Sequence, residues 1–251
     1  MKKIGKAFCM SFSMFCAIPT PFAHVWEDSL RSLMLLMFPF VGTVIGGLWA
    51  LSGALLATIH CPLYIKAALM ALIPYWLTGG IHLDGYMDCC DAIFSRRPLE
   101  KRREILKDSH VGSFAVIGLS MLFLLSFAAF SSVSEEKNNW VLLFICMASR
   151  ASSAIGVSML RPMNHSEYAG NFQKGIQGKH LSALIVLLFV IIGTAFWLCS
   201  WNGFLSALAT VAGYAVFTAF AFHDLDGFSG DVTGFGHTLG ELCGIFVWTL
   251  L

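Results

Sequence analysis

Charge is scarce in this sequence. Only 12% of its 251 residues are Asp, Glu, Lys or Arg, and the formal net charge is +1. So even a balance excludes a nucleic-acid partner held by a broad basic face, because phosphate recognition needs concentrated Lys and Arg. Cysteine pairing is also missing. Of the eight cysteines, Cys9, Cys16, Cys146, Cys199 and Cys243 lie inside apolar runs and behave as small hydrophobes. Cys89 and Cys90 have no second pair and no Cys/His spacing, so neither disulfides nor a zinc site are expected. The polarity of a soluble domain is absent too: hydrophobic residues make up 57% and the mean hydropathy is +0.74, which places the chain among membrane proteins.

Long apolar runs supply what polarity does not. A span needs about 20 apolar residues, and on that rule we expect membrane helices near Leu33–Ile59, Pro62–Thr78, Ser113–Val133, Trp140–Leu160, Leu181–Ser200 and Phe204–Phe222. A final run, Leu239–Leu251, is short for a crossing. The expected fold is therefore an all-α integral membrane protein. It is a polytopic helical bundle of six to seven transmembrane helices, a single domain over residues 1–251, with a polar active site on the cytoplasmic side. Pro39 with Gly42, Gly46 and Gly47 predicts a kink or close helix contact in the first span. The opening MKKIGKAFCMSFSMFCAIPTPFA has the outline of a secretory signal, but Pro19 and Pro21 interrupt it, and an amphipathic or interfacial segment is expected instead.

Orientation follows from the basic residues. Lys2, Lys3, Lys6 and Arg31 precede the first span. Arg96, Arg97, Lys101, Arg102, Arg103 and Lys107 fall between the second and third, and Arg161, Lys174 and Lys179 follow the fourth. The other side holds Lys137, beside Glu135 and Glu136, and Lys66. A cytoplasmic N-terminus places both acid-bearing segments, 79–112 and 223–241, on the cytoplasmic face.

Those two segments carry the chemistry. In GGIHLDGYMDCCDA, Asp84, Asp88 and Asp91 are spaced i, i+4, i+7, so a helix projects all three from one face. Neighbouring carboxylates repel unless a cation sits among them, and oxygen ligands favour Mg²⁺, Mn²⁺ or Ca²⁺ over zinc. Asp224, Asp226, Asp231 and Glu241 form a second set. Two sets on one face suit two metal ions and phosphoryl transfer. Gly79, Gly80, Gly85, Gly227, Gly230 and Gly234 are expected to turn the chain or approach a phosphate, and Gly236, Gly240 and Gly244 to pack helices. The basic run SRRPLEKRREILKDS reads either as topology signal and lipid contact or as a phosphate site. Arg150, inside an apolar run, must find a carboxylate, phosphate or water, and is expected to touch the site. His82, His110, His223 and His237 flank the polar segments, with His82 the first candidate for proton transfer.

GGIHLDGYMDCCDA, then KDSHVGSFAVIGL, then GFSGDVTGFGHTLGEL resemble, in order and spacing, the motifs of the cobalamin synthase family, the adenosylcobinamide-GDP ribazoletransferases. FSMFCAIPTP is similar to that family's opening segment, and the likeness covers essentially the whole chain. It implies a Mg²⁺-dependent enzyme of the inner membrane. The implied reaction joins adenosylcobinamide-GDP to α-ribazole or its 5′-phosphate and releases GMP. The resemblance also leaves room for association with other enzymes of that pathway. It places His82, Asp84, Asp88 and Asp91 on the first motif, Asp108, Ser109 and Gly112 on the second, and Gly230, Asp231 and Glu241 on the third. Asp84, Asp88, Asp91, Asp231 and Glu241 are then the candidate metal ligands. His82 and Arg150 join the first three acids as catalytic candidates, and Gly79, Gly80, Asp108, Ser109, Gly112 and Gly230 are substrate-binding ones. The sequence departs from the family where Ala92, Ile93 and Phe94 follow Asp91 in place of Asp-Gly. Two rivals remain: a CDP-alcohol phosphatidyltransferase, whose Ala-Arg pair after the first Asp-Gly is missing here, and a divalent-cation transporter, whose acids would lie near mid-membrane.

Overall fold

The computed structural model describes residues 3–19, 26–134, 137–163 and 178–251. Lys2, Lys174, Glu135, Glu136 and most of the polar segment after Arg161 lie outside them. The described residues are helical throughout, with a lone parallel bridge between Pro162 and Phe228. Four helices are long and apolar enough to cross a membrane, or five if one bent pair counts as a single span.

α1 (Lys3–Phe15) buries Ala7, Met10, Ser11 and Phe15, an i, i+3, i+4 stripe that makes it amphipathic and seats it on α2 (Arg31–Thr58). In α2 the glycines let two backbones meet. A Cβ on Gly42 would lie 2.6 Å from the Cys146 carbonyl oxygen, and one on Gly46 would lie 2.7 Å from the Leu143 Cα. Those partners belong to α7 (Val141–Met159), the most enclosed helix of the bundle. α3 (Leu63–Thr78) ends at Gly79 and Gly80, whose φ values of 66° and 77° suit glycine, and the chain bends by 100° into α4 (Ile81–Phe94). The first acidic set therefore rides on a helix turned across the end of the bundle. α5 (Leu99–Ile105) is short, and α6 (Ser113–Ser131) returns along α3.

α8 (Gly178–Leu225) is broken at Ser200, where φ is 55° and ψ −149°. A Cβ on Gly203 would lie 2.5 Å from the Ala195 carbonyl oxygen. Eight residues of straight helix would separate them by about 12 Å, so the chain folds back and arms 178–199 and 201–225 run side by side. These arms cover the apolar runs Leu181–Ser200 and Phe204–Phe222. α9 (Gly230–Leu250) packs on α8, α4 and α7. It is 21 residues long because Gly230–Thr238, expected as polar loop, is helical.

The polar connections gather at one end. Arg102 pairs with Asp224, Arg103 with Asp226 at 2.9 Å, and Arg161 with Asp226 at 2.6 Å. Arg161 and then Arg103 hold the Asp226 carboxyl below the usual carboxylate range. At the other end Lys137 Nζ donates to the Trp248 carbonyl at 3.0 Å. Between the ends α6 and α8 expose Ile117, Leu124, Val186, Phe189 and Phe196, an apolar perimeter suited to lipid. Trp26 and Trp76 are exposed near one end, Trp140, Trp197 and Trp201 near the other, as interfacial belts require.

Candidate active site

A cavity of about 420 Å³ opens at the polar end, walled by α1, α2, α4, α5, α7 and α9. Asp84 from α4 and Asp231 from α9 share its wall, with Ser229 and Gly230 beside them. The two helices meet this closely because glycines remove the side chains between them. A Cβ on Gly85 would lie 2.8 Å from the Asp231 Cα, and one on Gly234 would lie 2.9 Å from the His82 carbonyl oxygen. Gly234 is thus a packing residue, where a turn or phosphate role was expected. Gly240 agrees with expectation, since its Cβ would reach the Thr210 carbonyl oxygen at 2.8 Å.

Asp88 lies half-buried one turn along α4, where burial first and then the charges of Asp231, Asp84 and Asp91 push its carboxyl up to about 7. Ser229 caps α9, its hydroxyl accepting from Val232 N at 3.2 Å and contacting Asp231 Oδ2 at 3.2 Å. Arg103 and Lys107 add two cations to the wall. Among the described residues no three His, Cys, Asp or Glu side chains close into a metal-binding cluster.

Several expected site residues have other work. Asp91 is buried and accepts from Gly112 N at 2.7 Å and Ala115 N at 2.9 Å, so it caps the start of α6 from another helix. Hydrogen bonds to a charged acceptor are worth about 1.5–3 kcal/mol, which accounts for its place without a metal. Gly112 belongs to this cap. Glu241, expected among the ligands, stands ten residues beyond Asp231, about 15 Å along α9. Its Oε1 accepts from Ser149 Oγ at 2.7 Å and Arg150 Nη1 at 2.9 Å, and lies 3.2 Å from His237 Nε2. Arg150 is consequently absent from the cavity wall, lying beneath it with its guanidinium carbon 6.0 Å from the Phe38 ring centroid. Asp224 and Asp226 are held by arginines and leave the second acidic set. Asp108 and Ser109 are exposed outside the wall. Asp108 accepts from His110 Nδ1 at 2.6 Å, which keeps its carboxyl low and raises the His110 pKa. Gly79 and Gly80 shape the bend and are absent from this cavity's wall.

His82 does line the cavity. It is 8% exposed and stacks on His237 at 3.9 Å with 10° between the rings. His237 Nδ1 lies 3.1 Å from Ser153 Oγ, another wall residue. Ser149 and Ser153 escaped the sequence reading, although a run of serines around an intramembrane arginine signals a polar seam. Met14 and Phe15 of α1 were also missed as wall residues, because an amphipathic stripe does not say what it covers.

The family profile described as cobalamin-5-phosphate synthase matches residues 7–249. An adenosylcobinamide-GDP ribazoletransferase of Clostridium botulinum is 34% identical over 247 residues, covering 98% of each chain. One of Clostridium perfringens is 35% identical over 249 residues, again 98% of each. One of Desulfitobacterium hafniense is 32% identical over 249 residues, covering 96% of this chain and 94% of its own. No solved structure matches the chain.

Proposed function

The chain belongs to the cobalamin-5-phosphate synthase family, and we propose that its 420 Å³ cavity is where a ribazole hydroxyl displaces GMP from adenosylcobinamide-GDP. The enzyme is an adenosylcobinamide-GDP ribazoletransferase of cobalamin biosynthesis. What supports placing the reaction here is the meeting of Asp84 and Asp231, from separate helices, in a wall that also holds Arg103 and Lys107.

The reaction breaks a diphosphate linkage, so negative charge grows on the transferred phosphoryl group and on the leaving GMP. Lys107 attracts those oxygens, helped by Arg103, whose guanidinium is shared with Asp226, and the amides that open α9 at Gly230 face the same space. Asp231, fixed beside Ser229, takes the proton of the attacking hydroxyl. The carboxylates of Asp84 and Asp88, with the Asp231 oxygen that does not take the proton, are hard oxygen donors of the kind that would hold Mg²⁺, although they do not close into a cluster without it. Mg²⁺ held there would supply neutralisation of the phosphoryl charge. Asp91 and Glu241 stay outside this set, as cap and ion-pair partner.

The count of Lys and Arg supports a cytoplasmic address for this end, and the family resemblance supports the inner membrane. α2, α3, α6, α7 and the two arms of α8 make six crossings, and α9 a seventh.

The test is an assay of membranes bearing the protein with adenosylcobinamide-GDP and α-ribazole, with and without Mg²⁺. Formation of the nucleotide-looped corrinoid only with Mg²⁺ is expected. Asp84→Asn and Asp88→Asn should each abolish transfer while leaving the protein in the membrane. Full activity in either removes the metal assignment.

A further inference from the structure

The cavity walls differ by helix. The charged groups come from α4, α5, α9 and the Lys107 that follows α5, whereas α1, α2 and α7 contribute Phe15, Leu35, Phe38 and Val157, with Ser153 of α7 the one hydroxyl among them. His82 stands where the two kinds of wall meet, 6.0 Å from the Phe15 centroid and 5.9 Å from that of Phe38, with both rings near parallel to it. Its Nδ1 is enclosed and has no hydrogen-bond partner. Its ring makes stacking contacts alone, although it is more than nine-tenths buried. A buried ring nitrogen without a partner is costly to keep, and such groups are normally satisfied.

Three parts of the two substrates compete for the apolar walls. A corrin ring with its amide side chains exceeds a space of 420 Å³, which is near the small end of the roughly 300–1,000 Å³ range of ligand pockets. Guanine carries donors and acceptors along every edge, and Phe15, Leu35, Phe38 and Val157 offer them nothing. The benzimidazole of α-ribazole presents two methyl groups and a single unsubstituted ring nitrogen. One apolar slot with one unpaired imidazole is the complement of that base.

We propose that the apolar walls hold the benzimidazole of the acceptor nucleoside, with a ring nitrogen of His82 bonded to the base's free nitrogen. This rests on the reading of the site given above. It makes His82 the residue that selects the acceptor, in place of the proton carrier expected from sequence. The acceptor's ribose then points toward Asp84 and Asp231, where its hydroxyl meets the phosphorus.

The experiment compares α-ribazole with an analogue in which the free ring nitrogen is replaced by CH, using the full-length wild-type protein and His82→Phe. With wild type, KM for the analogue should exceed that for α-ribazole about 10- to 100-fold, the effect of leaving one buried polar group unpaired. His82→Phe should raise KM for α-ribazole by a similar factor, lose the discrimination between the two acceptors, and leave KM for adenosylcobinamide-GDP unchanged. Equal wild-type KM values for the two acceptors would overturn the proposal, and that comparison needs no variant to fold. So would a His82→Phe enzyme that loses kcat with KM for the acceptor intact, or one that raises KM for the GDP substrate instead. If wild type makes no product from the natural pair, the proposed function fails and not this assignment alone.

Discussion

Replacing Glu241 with Gln separates a structural acid from a metal ligand. Glu241 is 7% exposed and Arg150 1%, and their contact of 2.9 Å is reinforced by Ser149 and His237. Gln keeps an oxygen for Ser149 but removes the charge, leaving the Arg150 guanidinium buried with carbonyl and hydroxyl partners only. Breaking a buried pair from one side costs about 3–5 kcal/mol, and the retained oxygen points to the lower figure. For a chain of this size about 3 kcal/mol corresponds to a fall in Tm of roughly 6–12 °C. The same variant should keep the wild-type Mg²⁺ concentration for half-maximal transfer, because Asp231 lies about 15 Å away along the helix. Removing both charges, as in Arg150→Met with Glu241→Leu, should recover much of the loss, since apolar replacements of buried pairs are often neutral or better. The measurements are thermal unfolding of the purified protein in detergent and a Mg²⁺ titration of transfer. A Glu241→Gln protein that melts like wild type and needs more Mg²⁺ would refute the reasoning and return Glu241 to the metal.

Gly85→Ala sets a Cβ against the Asp231 backbone, where no flexible side chain can yield. Spreading α4 from α9 should lower kcat on the order of 10²-fold, the cost of displacing reacting groups by about 1 Å, and turnover equal to wild type would show that the two acids need not meet. Asp91→Ala should lower stability by about 1–3 kcal/mol through two stranded amides, and Asp91→Asn, which keeps one acceptor, by less. An unchanged Tm with a lost Mg²⁺ response would make Asp91 a ligand after all. In cells expressing Arg97→Cys or Ser134→Cys with the native cysteines replaced, an impermeant maleimide should label only Ser134→Cys, and the reverse pattern would invert the topology.

Much of the bundle could be read from hydropathy. The first span, expected at Leu33–Ile59, is Arg31–Thr58, and the fourth, expected at Trp140–Leu160, is Val141–Met159. Apolar runs of this length have few alternatives once every backbone amide must be satisfied inside the segment. α9 was hidden for the opposite reason. Glycine disfavours helix by about 1 kcal/mol per residue, so Gly230 and Gly234 read as a turn, while Gly236 and Gly240 read as helix packing. Contact with α4 and α8 at those glycines outweighs the intrinsic preference, and contact between segments so far apart in the chain leaves no local trace. The hairpin at Ser200 was legible from Trp201 and Asn202, but its backbone break was not.

The acids show where local reading stops. Asp84, Asp88 and Asp91 share a face of α4 as their spacing requires, yet a face is not a destination. Asp91 turns to the amides of Gly112 and Ala115. In the second set, arginines from three segments claim Asp224, Asp226 and Glu241. Among the described residues Asp84, Asp88 and Asp231 form no ion pair with any Lys or Arg, although Arg103 and Lys107 line the same cavity. A fold that supplies a counter-charge or a ring of amides to its structural acids leaves these without one. Carboxylates crowded together and unmatched cost stability unless a cation arrives with the ligand, and a diphosphate entering with the proposed Mg²⁺ would bring one. The unmatched acids, more than the motif that contains them, are the ground on which the diphosphate exchange is proposed for this cavity.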